Sequence, residues 1–185
     1  MTQEILVKHG TAVVWANSAD YSSSVSGLAR THQIDLHDLA SGAARQGAKA
    51  DLGSPRPAQY LVSAAFEFDS APVSLQVAEV YWAGSPITTA ASANPGLTTG
   101  ADAAYTGTAG DSLNDSIQQL LFVGNLVATA DASAVVQYQT IGVLSNVHRY
   151  GMPVVYNRTG QAMGSDAIEM YVALIPLIDE AAAVV

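Results

Sequence analysis

The sequence predicts a mainly β protein, an antiparallel β-sandwich with one short helix and long loops. Three observations lead there. Period-two alternation recurs in short segments, turn residues separate those segments at short intervals, and neither a βαβ rhythm nor an internal repeat is present. The clearest segment is Gln59 to Asp69, where Tyr60, Val62, Ala64, Phe66 and Phe68 share one face and Ser63, Ala65, Glu67 and Asp69 the other. Ser74 to Trp82 follows the short Ser70-Ala71-Pro72 connection, which predicts an antiparallel hairpin. Its apolar set changes phase from Leu75 and Val77 to Ala78, Val80 and Trp82, as in a bulged strand or one covered on both faces.

The other elements follow in order. Ile5 to Trp15 reads as a strand, or a pair of strands broken at Gly10. Asp20 to Ser54 is weakly patterned: Leu36, Leu39, Ala40 and Ala43 allow a short helix, and Ala48 to Leu52 an extended segment. Ala83 to Gly110 is a long loop with Asn94-Pro95-Gly96 as its turn signal. At Asp111 or Ser112 a helix begins, with capping-box spacing from Ser112 to Asp115 and a stripe of Leu113, Ile117, Leu120 and Leu121. Leu121 to Thr129, Val135 to Leu144, Val154 to Asn157 and Ala167 to Ile178 are the remaining strands, with Pro176 weakening the end of the last or placing it at a sheet edge. The chain forms one domain: residues 1–56 are an N-terminal strand and an extended arm packed on it, and 57–185 are the sandwich core.

Charge narrows the function. The 185 residues carry a net charge of −9, and no Lys or Arg falls between Pro57 and His148, where seven carboxylates do. Of the 29 residues from Ala83 to Asp111, 23 are Gly, Ala, Ser, Thr or Pro. A long, acidic, small-residue loop on a β scaffold suits a surface laid against other protein. Binding to a phosphate backbone is excluded for want of a basic cluster. With no cysteine, disulfides, thiolate metal sites and Cys nucleophiles are excluded too. No signal peptide or membrane span is legible, so synthesis as a soluble intracellular product is expected.

Catalytic and metal motifs are weak. Thr31 to Asp38 holds His32, Asp35, His37 and Asp38, but a spacing of five residues between the histidines suits a metal on neither helix nor strand. Asp102, Asp111, Asp115 and Asp131 match no calcium loop, and capping and turn roles explain them. Gly42 to Lys49 falls short of a phosphate loop because the Lys does not directly follow the second Gly. Gly-x-Ser-x-Gly is absent, and Asn157-Arg158-Thr159 reads as a turn. Glu67, Asp69 and Glu79 suggest a glycosidase pair, yet no aromatic platform accompanies them, so a solvated sheet face is expected. Trp15 and Trp82 are expected in the core. Tyr105, the sole aromatic of the loop, is either a contact anchor or the pin that holds the loop to its own domain.

Several segments resemble a family of tailed-bacteriophage virion structural proteins: Ser41 to Gly53, Tyr81-Trp82-Ala83-Gly84-Ser85-Pro86, Asn94-Pro95-Gly96, Gly100 to Gly107, Arg149-Tyr150-Gly151 through Asn157, and Ser165 to Met170. The resemblance implies a jelly-roll-like sandwich on the capsid surface, a head decoration (cement) protein. Such a protein is made in the host cytoplasm and carried in the virion, without enzymatic activity. Its expected partners are the major capsid protein and copies of itself, as a trimer, with no nucleic acid, membrane, cofactor or metal. Neighbouring copies would order Ser18 to Ser54 and the Ala-rich C-terminus. The candidate contact residues are Tyr105, Asn94, Pro95 and Leu97 on the loop, with Arg30, Arg45 and Lys49 facing acidic patches of a neighbour. The alternative is a tail-associated or carbohydrate- or receptor-binding module on the same sandwich.

Overall fold

The computed structural model describes residues 4–107, 112–131, 135–145, 148–166 and 168–182. Its strands are β1 (Glu4–His9), β2 (Val13–Ala16), β3 (His32–Gln33), β4 (Ala44–Gln46), β5 (Ala50–Asp51), β6 (Gln59–Phe66), β7 (Val77–Ser85), β8 (Ala103–Tyr105), β9 (Leu121–Val127), β10 (Gln137–Ser145), β11 (Tyr150–Arg158) and β12 (Tyr171–Ala182). Among the described residues there are two short helices, α1 (Ser23–Ser26) and α2 (Leu113–Ile117). Neither is long and apolar enough to cross a membrane.

The strands form two sheets packed face to face. Sheet I runs β10–β6–β12–β2–β3, and β1 continues β2 along β12. Sheet II runs β8–β4–β11–β7–β9, and β5 continues β4 along β11. All pairs are antiparallel except the short β2–β3 contact. With β3 and β8 set aside, and β1–β2 and β4–β5 each taken as one interrupted strand, every connection crosses between sheets except that from β7 to β9. This is the jelly-roll order, two Greek keys closed into a sandwich. Residues 4–51 supply five strands to both sheets, so this segment is woven into the sandwich rather than laid on it as an arm.

The expected hairpin of β6 and β7 does not form, because the chain crosses to the other sheet between them. Phe68 bridges Met163, the Val73 N–H donates to the Thr159 carbonyl, and the Leu75 N–H donates to the Ala128 carbonyl. Leu75 sits outside the strand at φ 69° and is 79% exposed, which accounts for the change of phase in the sequence. From there Ala78, Val80 and Trp82 point regularly into the core. The register shift lies opposite Val80 and Tyr81, where β9 carries the extra residue. Likewise Leu36 to Ala43 forms turns rather than a helix. The helix at Ser112 forms as expected, its hydroxyl accepting from the Asp115 N–H at 3.2 Å.

Two prolines lie inside central strands, where a missing N–H normally breaks a ladder. The Pro153 carbonyl on β11 accepts from Gly47 at 2.9 Å, so the place of its missing N–H faces the gap between β4 and β5. The Pro176 carbonyl on β12 accepts from Gly10 at 2.8 Å and faces the gap between β1 and β2. Each proline thus costs no ladder bond, because its neighbour is interrupted there. Pro176 neither ends its strand nor marks an edge, and β12 runs on to Ala182.

Trp15 and Trp82 meet edge to face in the core, ring centroids 5.7 Å apart, among Val62, Phe66, Leu126 and Val172. The Trp15 indole donates to the Ala48 carbonyl at 2.7 Å. Outside each sheet lies a further apolar layer. On sheet I, Val14, Ala16, Ala65, Tyr171 and Ala173 are covered by Tyr21 and Leu28 of the β2–β3 connection. On sheet II, Ala83, Met152, Val154 and Tyr156 are covered by Tyr105, Ile117 and Leu120 of the β7–β9 connection.

Candidate functional site

The long loop is tied to the domain along its length. Tyr105 is 3% exposed, its hydroxyl donates to the Gly96 carbonyl at 2.7 Å, and burial holds that hydroxyl above the usual phenol range. It pins the loop from inside. The Asn94 amide donates to the carbonyls of Ala90 (2.6 Å) and Thr98 (2.7 Å), closing the turn in which Pro95 is half-buried. Leu97 is the exception. It is 59% exposed and sits at φ 56°, a left-handed conformation that costs a non-glycine residue about 1–3 kcal/mol.

The candidate cations divide in the same way. Arg45 donates from Nε to Asp102 at 2.7 Å, and that bond raises the guanidinium's pKa above its ordinary value. Lys49 donates to Ser85 Oγ (3.0 Å) and to the carbonyls of Thr89 (2.7 Å), Ser92 (3.2 Å) and Ile87 (3.3 Å), and burial pulls its pKa down. Gly42 to Lys49 therefore serves as strand and tether, not as an anion cradle. Arg30 is exposed.

The remaining polar residues take local roles. His32 stacks on Trp15 with centroids 5.2 Å apart, while His37 lies between Asp20 (2.7 Å) and Asp35 (3.1 Å). The Asp115 carboxylate accepts from the hydroxyl of Ser112, the N-cap of α2, and Asp131 accepts from the Thr129 hydroxyl. Asp111 lies outside the described residues. Glu79 faces outward on sheet II and Glu67 follows β6 in sheet I, so the pair suggested by their spacing is not assembled. Instead Glu67 gathers with Asp166 and Glu169, carboxylate oxygens within 4.8 Å of one another, a cluster formed by a distant turn and invisible in the sequence. Burial, then the charges of Asp166, Glu169 and Asp69, raise the Glu67 pKa.

What the domain leaves open lies at its termini. Pairing of β12 with β6 ends at Leu177, but pairing with β1 continues to Ala182. Residues 4–8 and 178–182 thus form a two-stranded ribbon beyond the sandwich, neither edge of which has a further strand partner among the described residues. Leu6 and Val7 are 50% and 63% exposed, and Lys8 pairs with Glu180 at 2.8 Å. At its base lies a largely apolar groove of about 780 Å³, lined by Val7, Pro55, Pro57, Ala58, Leu177 and Ile178. A ribbon of two strands is marginal by itself in water, and unpaired edges are templates for strand addition. Nothing in the sequence reading pointed to this surface.

Comparison with protein-family models, with curated proteins and with solved structures finds no match to this chain.

Proposed function

We propose that the protein is a non-enzymatic virion structural protein of a tailed phage, a head decoration protein that binds the outer capsid surface as a homotrimer. The observation that carries this reading is where the unsatisfied surface lies. The chain's own connections cover the apolar part of each sheet's outer face, whereas the terminal ribbon keeps two open edges beside an apolar groove. A rigid body with unpaired strands at one end suits assembly by strand addition and groove filling. Leu97 and Ile87, exposed on the acidic loop, offer a second contact toward the shell. Binding of this kind stabilises a capsid by mass action, since the ligand favours the assembled form.

Sedimentation equilibrium of the full chain tests the assembly. We expect a mass three times the 19.1 kDa of one chain, and a single-chain mass for a Val7→Lys variant that still melts cooperatively. A monomeric wild-type protein, or a trimer indifferent to Val7→Lys, would overturn the ribbon as the interface.

A further inference from the structure

The outer face of sheet II is not wholly covered by α2, and the part left open is built from polar and aromatic side chains. Register places Tyr156 of β11, Glu79 of β7 and Asn125 of β9 in one row across the sheet. Glu79 accepts from the Tyr81 hydroxyl at 2.8 Å and from Arg158 at 3.1 Å. The Arg158 guanidinium lies 5.3 Å from the centre of the Tyr156 ring, and the Tyr156 hydroxyl donates to Asn114 of α2 at 3.3 Å. Glu79, Tyr81, Tyr156, Arg158, Asn114 and Gln118 line, with Ile117 at one side, a mostly polar pocket of about 250 Å³. Beside it Phe122, 50% exposed, meets the Tyr81 ring edge to face.

We propose that this pocket binds one neutral sugar ring, the terminal pyranose of a glycan. Its volume lies just below the roughly 300–1,000 Å³ of pockets for drug-sized ligands, as suits a single ring. Its charges cancel: Glu79 and Arg158 neutralise each other, so no net field selects an anion or a cation. What remains is a fixed set of planar groups. The carboxylate accepts, the guanidinium donates, and the exposed amides of Asn114 and Gln118 do both, as vicinal hydroxyls require. The Tyr81 hydroxyl stays protonated, since burial and its bond to Glu79 push its pKa well up, so the carboxylate is held in one orientation. Phe122 supplies an apolar face for the C–H side of a ring.

Sugar binding here is separable from decoration, for the pocket shares no residue with the terminal groove and the two can fail independently. The test is saturation-transfer NMR on the isolated full chain with methyl glucoside, galactoside and mannoside and N-acetylglucosamine. We expect transfer from at least one sugar, with millimolar affinity. Arg158→Ala should weaken it about tenfold by removing a charge-assisted donor, and Gln118→Ala should weaken it less, while Val7→Lys changes nothing. Circular dichroism melts confirm that each variant is folded. Absence of transfer from all four sugars, or transfer unaffected in folded Arg158→Ala, overturns the proposal. So does inorganic phosphate competing for the site.

Discussion

Gly151 holds its place because of one ring. A Cβ added there would lie 2.3 Å from Cζ2 and 2.5 Å from Cε2 of Trp82, rigid aromatic atoms that cannot give way. We expect Gly151→Ala to cost about 1–3 kcal/mol by overpacking, read as a lower urea midpoint at unchanged slope. Trp82 was legible as a core residue from its alternation, but the glycine beneath it was not, since the two are brought together only by pairing of β7 with β11. Glu67 shows the same limit for charge. Its folded pKa is raised, first by burial and then by its acidic neighbours, so the fold favours its protonated form. Stability from this group is therefore present at low pH and lost as pH rises through the folded value. Glu67→Gln should raise the melting temperature at pH 7 and leave it little changed below the ordinary carboxylate pKa of about 4.3. A drop at pH 7 would mean that the fold stabilises the ionised carboxylate, the opposite sign.

Elements were legible where they answer to local pattern. Alternation placed β6, the turn signal at Asp131 to Ser133 separated the strands read as β9 and β10, and Ser112 with Asp115 placed α2. The loop after β7 was legible as a loop from its small residues, but its tethers were not. Lys49 to Thr89, Arg45 to Asp102 and Gln46 to Thr99 join positions that lie 40 or more residues apart. Lys49→Met should leave the sandwich folded but free Pro86 to Ser92, read as faster proteolytic cleavage in that segment; an unchanged cleavage rate would mean these carbonyls hold nothing. Deleting 92–107 is a different matter. It removes Tyr105 and uncovers the apolar layer of sheet II, so loss of folding is expected. At the start of β11, Arg149 donates twice to Asp51 at 2.7 Å, and this bond, with that from the Gly53 N–H, holds the carboxyl at about 2. A depressed carboxylate stabilises fully above its unfolded pKa of about 3.9, and that contribution fades as pH falls to the folded value. Arg149→Ala should thus shift the acid unfolding limb and add no new transition above pH 5. Pro176 misled for a structural reason: a proline argues against a central strand only if the neighbour is continuous, and although the break at Gly10 was legible, its place opposite Pro176 is set by strand pairing.

At the scale of the whole molecule, the sandwich followed from composition and rhythm, whereas strand order did not. The sequence carries turn signals but no mark of which sheet a strand enters, so nothing in it separates the crossing of β6 to β7 from a hairpin. The same blindness hides the ribbon, because β1 and the end of β12 pair across nearly the full length of the chain. Function sits at this scale. The assembly proposed above rests on a jelly roll whose outer apolar layers are covered by its own connections, with an acidic mid-section and open strand edges at its termini. Co-sedimentation of the full chain with undecorated phage heads, with isolated tails as the comparison, decides whether that assembly is decoration. We expect saturable pelleting with heads alone, reduced by Val7→Lys and by Leu97→Ser. Pelleting with tails, or with neither particle, would contradict it.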